Sequence, residues 1–178
     1  MQKSLQIWKL VIRSLQGSIP ATLLYVLESK GSSPGRQGFF MAVNANGEME
    51  GSIGGGIMEH KFVELAREKL RAGGWASGVR KQIHDKSAEN NQSGMICSGE
   101  QTILLYSIQS KDLPAIENII SSLEQYKNAT LILSPEGIRF TNNIPALDFE
   151  YDYQSDDNWL YKEKTGYKNH LYIIGGGH

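Results

Sequence analysis

Gly51-Ser52-Ile53-Gly54-Gly55-Gly56-Ile57-Met58-Glu59-His60 reads as the end of a strand, a bare glycine loop and the first turn of a helix. A core has no use for three consecutive glycines, since each loses more backbone entropy on folding than any other residue. What such a run provides is backbone N–H groups that a ligand can approach, aimed by a helix N-terminus. The stretch is therefore expected to floor an anion or cofactor site, with Gly54, Gly55 and Gly56 as its bare backbone. The competing reading is a tight strand-to-helix turn that needs positive φ. Glu59, in the first helical turn, either interacts favourably with the helix dipole or accepts hydrogen bonds from a ligand amine.

Just upstream, Asn46-Gly47 is a strong hairpin signal, so residues 39–43 and 48–53 are expected to pair. That hairpin joins the glycine run to a second loop, Gly31-Ser32-Ser33-Pro34-Gly35-Arg36-Gln37-Gly38. If the two strands match in length, both loops emerge at one end of the sheet. Arg36, set among Gly31, Ser32 and Gly38, then offers a guanidinium fork for a phosphate or carboxylate. Further out, residues 21–28 form an apolar run of buried-strand type. Residues 4–16 carry Leu5, Trp8, Val11, Ile12 and Leu15 at helical spacing, stopped by Gly17 and Pro20.

Downstream, a helix is expected over 57–71, with Met58, Phe62, Leu65 and Ala66 on its apolar face and Gly73-Gly74 as its stop. A strand over 79–84 and a polar loop over 85–93 lead to Gly94-Met95-Ile96-Cys97-Ser98-Gly99, then to a clear strand over 101–108. Asp112 is placed to cap a helix striped by Ile116, Ile119, Ile120 and Leu123. Residues 130–133 and 138–141 form a hairpin around Pro135-Glu136-Gly137. Another strand is expected over 159–164. The fold class is α/β in the mixed α+β sense, a mixed sheet with flanking helices.

The domain reading assigns 1–142 to the main domain and 143–168 to a polar linker. Residues 169–178 are the first strand and glycine turn of an incomplete Rossmann-like domain. Leu171-Tyr172-Ile173-Ile174-Gly175-Gly176-Gly177-His178 is how a dinucleotide-binding unit opens, but the helix that would receive the phosphates does not follow. NAD(P) binding is expected only where a full Rossmann domain continues from there. An oxidoreductase fragment of that kind, and a non-catalytic interaction domain with structural glycine turns, are the two rival readings.

Composition narrows the classes. The chain has 178 residues, 40% hydrophobic and 21% charged, with a net charge of −1, an ordinary globular profile that argues against nucleic acid or an anionic membrane as partner. No apolar run approaches the roughly 20 residues of a membrane span, and no signal peptide is visible. Cys97 is the single cysteine, which excludes an intrachain disulfide and suits a reducing cytoplasmic setting. A lone cysteine is commonly a small buried hydrophobe. In a glycine-flanked loop, its thiolate is also suited to a soft metal or to carrying sulfur. His60, His84, His170 and His178 lack zinc-ligand spacing, and His60 is expected to pair with Glu64 on the surface. No catalytic triad is apparent.

Three segments together resemble the XdhC/CoxI family: the loop 31–38, the run 51–59, and Met95-Ile96-Cys97-Ser98-Gly99. The resemblance runs from about residue 10 to residue 110, and 173–178 looks like the opening of that family's C-terminal Rossmann domain. It implies a molybdenum cofactor (molybdopterin) binding and maturation factor for xanthine dehydrogenase-type hydroxylases. Such a protein is an accessory or chaperone rather than an enzyme. The implied partners are the apo-enzyme and a cysteine desulfurase, and the implied assembly is a homodimer. Carried over residue by residue, the resemblance places Gly31, Ser32, Arg36, Gly38, Gly54, Gly55, Gly56, Glu59 and Cys97 at the cofactor, with Cys97 facing molybdenum or its sulfur. Ser98 departs from the family's Cys-Gly-Gly run and adds a Cβ beside the thiol.

Overall fold

A computed structural model describes residues 2–73, 78–83 and 99–166. Helix α1 (Gln2–Gln16) is followed by strands β1 (Ala21–Gly31), β2 (Phe40–Asn44) and β3 (Met49–Gly51), then helix α2 (Gly56–Arg71). Strands β4 (Gly78–Ile83) and β5 (Gly99–Ser107) precede a short 3-10 turn and helix α3 (Leu113–Glu124). Strands β6 (Ala129–Ser134), β7 (Gly137–Thr141), β8 (Phe149–Ser155) and β9 (Asn158–Thr165) complete the described fold.

The strands make two sheets, ordered β3-β2-β1-β5-β4 and β7-β6-β9-β8. Every pairing among the described residues is antiparallel, so the hairpin signals, which suggest a mixed rather than an all-parallel sheet, extend further than expected. The hairpin signals account for this, since short turns join only antiparallel neighbours. The fold is α+β, with two sheets and three α-helices among the described residues.

Strand β1 is central to the first sheet and buried on both faces, which is why residues 21–27 are apolar without alternation. Leu24 and Val26 face a core with Met41, Ile53, Ile103 and the α2 residues Met58, Phe62 and Ala66. Leu23, Tyr25 and Leu27 face the opposite way, into a core shared with α1, α3 and the second sheet through Trp8, Ile119, Leu131 and Tyr161. Each such side chain contributes about 1.5–3 kcal/mol of burial free energy. The layers are thus α2, the first sheet, the helices α1 and α3, and the second sheet.

Two expectations fail here for identifiable reasons. The polar stretch 143–168, expected as a linker, contains the whole of β8 and β9, which pair with each other and join β6 through β9. Edge strand β8 exposes Asp152, Gln154 and Ser155 to solvent, so a strand reads as a polar connection. Asp112 sits at the head of α3 but its side chain does not cap that helix. Its buried carboxylate accepts from Gln109 N at 2.8 Å, Ile138 N at 3.1 Å and the Tyr106 hydroxyl at 2.8 Å. It ties the turn before α3 to both sheets. Residues 169–178, expected to open a Rossmann-like domain, lie outside the described residues.

Candidate functional site

The hairpin brings the two glycine loops together as its geometry requires. Asn44 anchors the turn, its Oδ1 accepting from Asn46 N at 3.1 Å and Glu48 N at 3.0 Å. Val43 pairs with Met49 and Met41 with Gly51, so the loop before β2 and the loop after β3 leave the same end of the sheet.

There the loops touch backbone to backbone. A β-carbon on Gly35 would overlap the Ile53 carbonyl oxygen, and one on Gly54 would lie 2.8 Å from the Pro34 carbonyl carbon. The third family-like segment arrives at the same point. Gly99 pairs with Gly31 across β1 and β5, and a β-carbon on it would lie 2.7 Å from both the Ser32 carbonyl carbon and Ser33 N. Glycine at 35, 54 and 99 is therefore a requirement of close approach as well as of chain flexibility.

A residue that sequence reasoning missed holds the junction. Gln101, buried on β5, donates from its amide nitrogen to Gly35 O at 2.9 Å and to Ile53 O at 3.3 Å, one carbonyl from each loop. The available signal was a glutamine opening an otherwise apolar strand. Ser33 adds a hydrogen bond to Gly35 O at 3.1 Å and contacts the Ser29 hydroxyl at 2.6 Å.

Glu59 resolves its two readings in a third way. Its Oε2 accepts from the Ser52 hydroxyl at 2.6 Å, Ile53 N at 2.8 Å and Gly55 N at 2.9 Å. The N–H groups of Ile53 and Gly55, which the sequence offers to an external anion, thus point at the protein's own carboxylate. Burial pushes the Glu59 carboxyl up. The donors Ser52, Gly55, Ile53 and Gly54 outweigh this and hold it below the ordinary carboxylate value. Gly55 has φ 76° and ψ −172°, a conformation close to glycine-only, and a β-carbon there would meet nothing within 4 Å. The chain is bare and open at this position.

Arg36 is exposed and makes no side-chain hydrogen bond or ion pair among the described residues. Ser32 and Gly31 are exposed on the same loop. Gly38, at φ 84°, turns the other way, and a β-carbon on it would meet Phe149 and the Glu163 carboxylate of the second sheet. Cys97 lies outside the described residues, two positions before Gly99 in the chain. His60 is exposed, and Glu64 pairs with Arg67 at 2.9 Å, not with His60 as expected. No group of three or more metal-ligating side chains occurs among the described residues. No described helix is long and apolar enough to cross a membrane.

Beside the loops, Gly38, Gly51 and Ser52 form part of the wall of a cleft of about 670 Å³. Tyr25 and Glu163 lie in it, one from each sheet. Glu163 Oε2 accepts from the Tyr25 hydroxyl and from the Tyr161 hydroxyl, the latter at 2.9 Å. Burial, then the charge on Glu163, raise both tyrosines well above the usual phenol value.

Comparison with known proteins follows the same segments. Residues 14–80 match the model of the XdhC and CoxI family, a span holding both glycine loops, Arg36 and Glu59. No curated protein matches the chain. Among solved structures, the fold is similar to a crystal structure described as a xanthine dehydrogenase from Bacillus halodurans, with a TM-score of 0.58 and 17% identity. That likeness covers 89% of this chain and 52% of the other, so the chain spans about half the length of its structural relative. Residues 14–80, which carry both glycine loops of the junction, are thus similar to the XdhC and CoxI family.

Proposed function

We propose that the chain is a binding and delivery component for molybdenum cofactor, with an accessory role toward xanthine dehydrogenase-type hydroxylases. The observation that carries this reading is the meeting of the 32–35, 53–54 and 99 backbones, which joins the two glycine loops and Gly99 in one packed junction. The chemistry of the donor set fits the cofactor in part. Exposed Arg36 and the open side of Gly55 suit a phosphate and a pterin edge. The N–H groups of Ile53 and Gly55 do not, because Glu59 occupies them. The cofactor itself supplies the redox-active metal for the client enzyme. This chain's residues bind it, orient it and release it, and Cys97 is the residue proposed to meet the metal or its sulfur. A carrier needs no more than moderate affinity, since a ligand to be passed on is not to be held irreversibly. The apo-enzyme and a cysteine desulfurase are the proposed partners, and a homodimer the proposed assembly.

Native mass spectrometry after co-expression with cofactor biosynthesis tests the reading. The expected result is one cofactor per chain, with retention reduced in Arg36→Ala and Cys97→Ala. Full retention in both variants removes the site assignment, and absence of cofactor from the wild-type protein removes the function.

A further inference from the structure

The turn of the β2–β3 hairpin sets the relation between the two glycine loops, and it carries a reactive dipeptide. Asn46-Gly47 is the only Asn-Gly pair in the sequence. Both residues are exposed. The Asn46 side-chain amide makes no hydrogen bond among the described residues, since only its backbone N–H is engaged, by Asn44 Oδ1. By contrast, the Asn44 side chain is buried and tied to Ser14, Glu48 and Asn46. Gly47 has φ 85°, and a β-carbon on it would meet nothing within 4 Å, so the approach to its nitrogen is open. That nitrogen donates to Asn44 O at 3.0 Å, a single backbone bond at an exposed tip, where local opening is least costly. Across a depression of about 180 Å³ lie Arg67 and Arg71 of α2. Arg67 pairs with Glu64 at 2.9 Å, whereas Arg71 makes no ion pair among the described residues. The turn's own carboxylate, Glu48, is engaged by Asn44 Nδ2 at 2.7 Å and lies 3.8 Å from Arg13.

We propose that Asn46 is a spontaneous modification site, converted to aspartate and isoaspartate in the folded chain, with the charge of Arg71 speeding the step. The Gly47 backbone nitrogen gives up its proton and attacks the Asn46 side-chain carbonyl carbon. A C–N bond forms, the bond to the side-chain nitrogen breaks, and ammonia leaves a cyclic imide behind. Water then opens the imide at either carbonyl. The net exchange is water in and ammonia out, with no oxidation or reduction. The reacting atoms are neighbours in the chain, so proximity needs no bound partner. Both the deprotonated nitrogen and the tetrahedral oxyanion are negative, and a guanidinium nearby favours them. Opening at the main-chain carbonyl gives isoaspartate, whose backbone runs through the former side chain and is longer by a methylene. Strand β3 is three residues long and pairs only with β2 among the described residues, so the turn is much of what holds its register. Isoaspartate at 46 thus loosens the hairpin that joins the glycine loops. The proposal is independent of the delivery reading, because it rests on the turn at the far end of the hairpin from the glycine junction.

The full chain is incubated at mildly alkaline pH and low salt, and peptide mass spectrometry follows the exchange of NH2 for OH at each asparagine. Conversion at Asn46 is expected to be at least about tenfold faster than at buried Asn44 or at exposed Asn158, which precedes a tryptophan. Asn46→Gln is expected to be silent at that position, because a glutamine has to close a larger and slower ring. Arg71→Gln is expected to slow conversion about two- to fivefold at low salt, with high salt erasing the difference. The isoaspartyl fraction, separated by ion exchange, is expected to have a lower urea midpoint than Asn46→Asp, which carries the same charge on an unaltered backbone. Conversion at Asn46 no faster than at Asn158 overturns the modification site. An unaltered rate in Arg71→Gln overturns the part given to the arginine, and equal midpoints overturn the effect on the hairpin. None of these results bears on the cofactor count that native mass spectrometry gives for the unmodified chain.

Discussion

Gly35 lies against the Ile53 carbonyl so closely that a side chain on residue 35 has no room, and the Gln101 amide donates to the carbonyls of both residues. Two loops separated by a hairpin are thereby fused into one surface. Gly35→Ala is expected to force the loops apart and to cost about 3 kcal/mol or more, since the obstacle is backbone rather than a movable side chain. Urea unfolding measures this directly. An unchanged midpoint would mean that the loops are not in contact.

Gln101→Leu keeps the volume but removes the donor shared by the Gly35 and Ile53 carbonyls; Gly35 O keeps the Ser33 hydroxyl, whereas Ile53 O loses its Gln101 bond. A stranded buried acceptor costs about 1–3 kcal/mol, and a loss of that size is expected in the same assay. Gln101→Glu is expected to be worse still, because a carboxylate oxygen would face two carbonyl oxygens.

Glu59 makes the glycine run sensitive to acid. Its folded-state value lies below that of the unfolded chain, so its contribution is present above the ordinary carboxylate value and is lost as pH falls through the folded value. The wild-type protein is therefore expected to lose stability as pH drops below about 4.5, and Glu59→Gln to flatten that part of the profile. At neutral pH the variant is expected to lose about 1–2 kcal/mol, modest because the group is only partly buried. A profile identical to wild type would show that the carboxylate does not hold the loop.

At the alkaline end the sign reverses. Tyr25 and Tyr161 are raised by burial and by the charge on Glu163, so their contribution is complete below the unfolded tyrosine value and is lost as pH rises toward the folded one. Stability is expected to decline above about pH 10, and the Tyr25→Phe, Tyr161→Phe double variant to show a shallower decline. In a double-mutant cycle at neutral pH the two changes are expected to be non-additive, because both hydroxyls serve one oxygen of Glu163.

How much of this was legible depends on how local the signal was. Asn46-Gly47 fixed a hairpin, and the hairpin alone implied that the loops at 31–38 and 51–56 share an end of the sheet. The helices at α1, α2 and α3 followed from apolar spacing. The carboxylate of Glu59 and the amide of Gln101 were not legible in their roles, because which acceptor or donor a side chain finds depends on tertiary approach rather than on spacing. The second sheet was half-read. Phe149, Tyr151 and Tyr153 alternate with Glu150, Asp152 and Gln154, which is a strand pattern, but the surrounding Asn, Asp and Ser content spoke for a linker. The cleft at Glu163 was invisible for the same reason, since it needs β9 placed against β1.

The central claim is that the glycine turns and the thiol converge. Cys97 is the only cysteine in the chain, so a nitroxide can be attached there without altering any other residue. Paramagnetic broadening of the amide resonances then maps what lies near it. The account predicts strong broadening at Ser32, Ser33 and Gly54 and none at Arg139 or Thr141 on β7. Broadening on β7 with sharp signals at Ser32, Ser33 and Gly54 would contradict it.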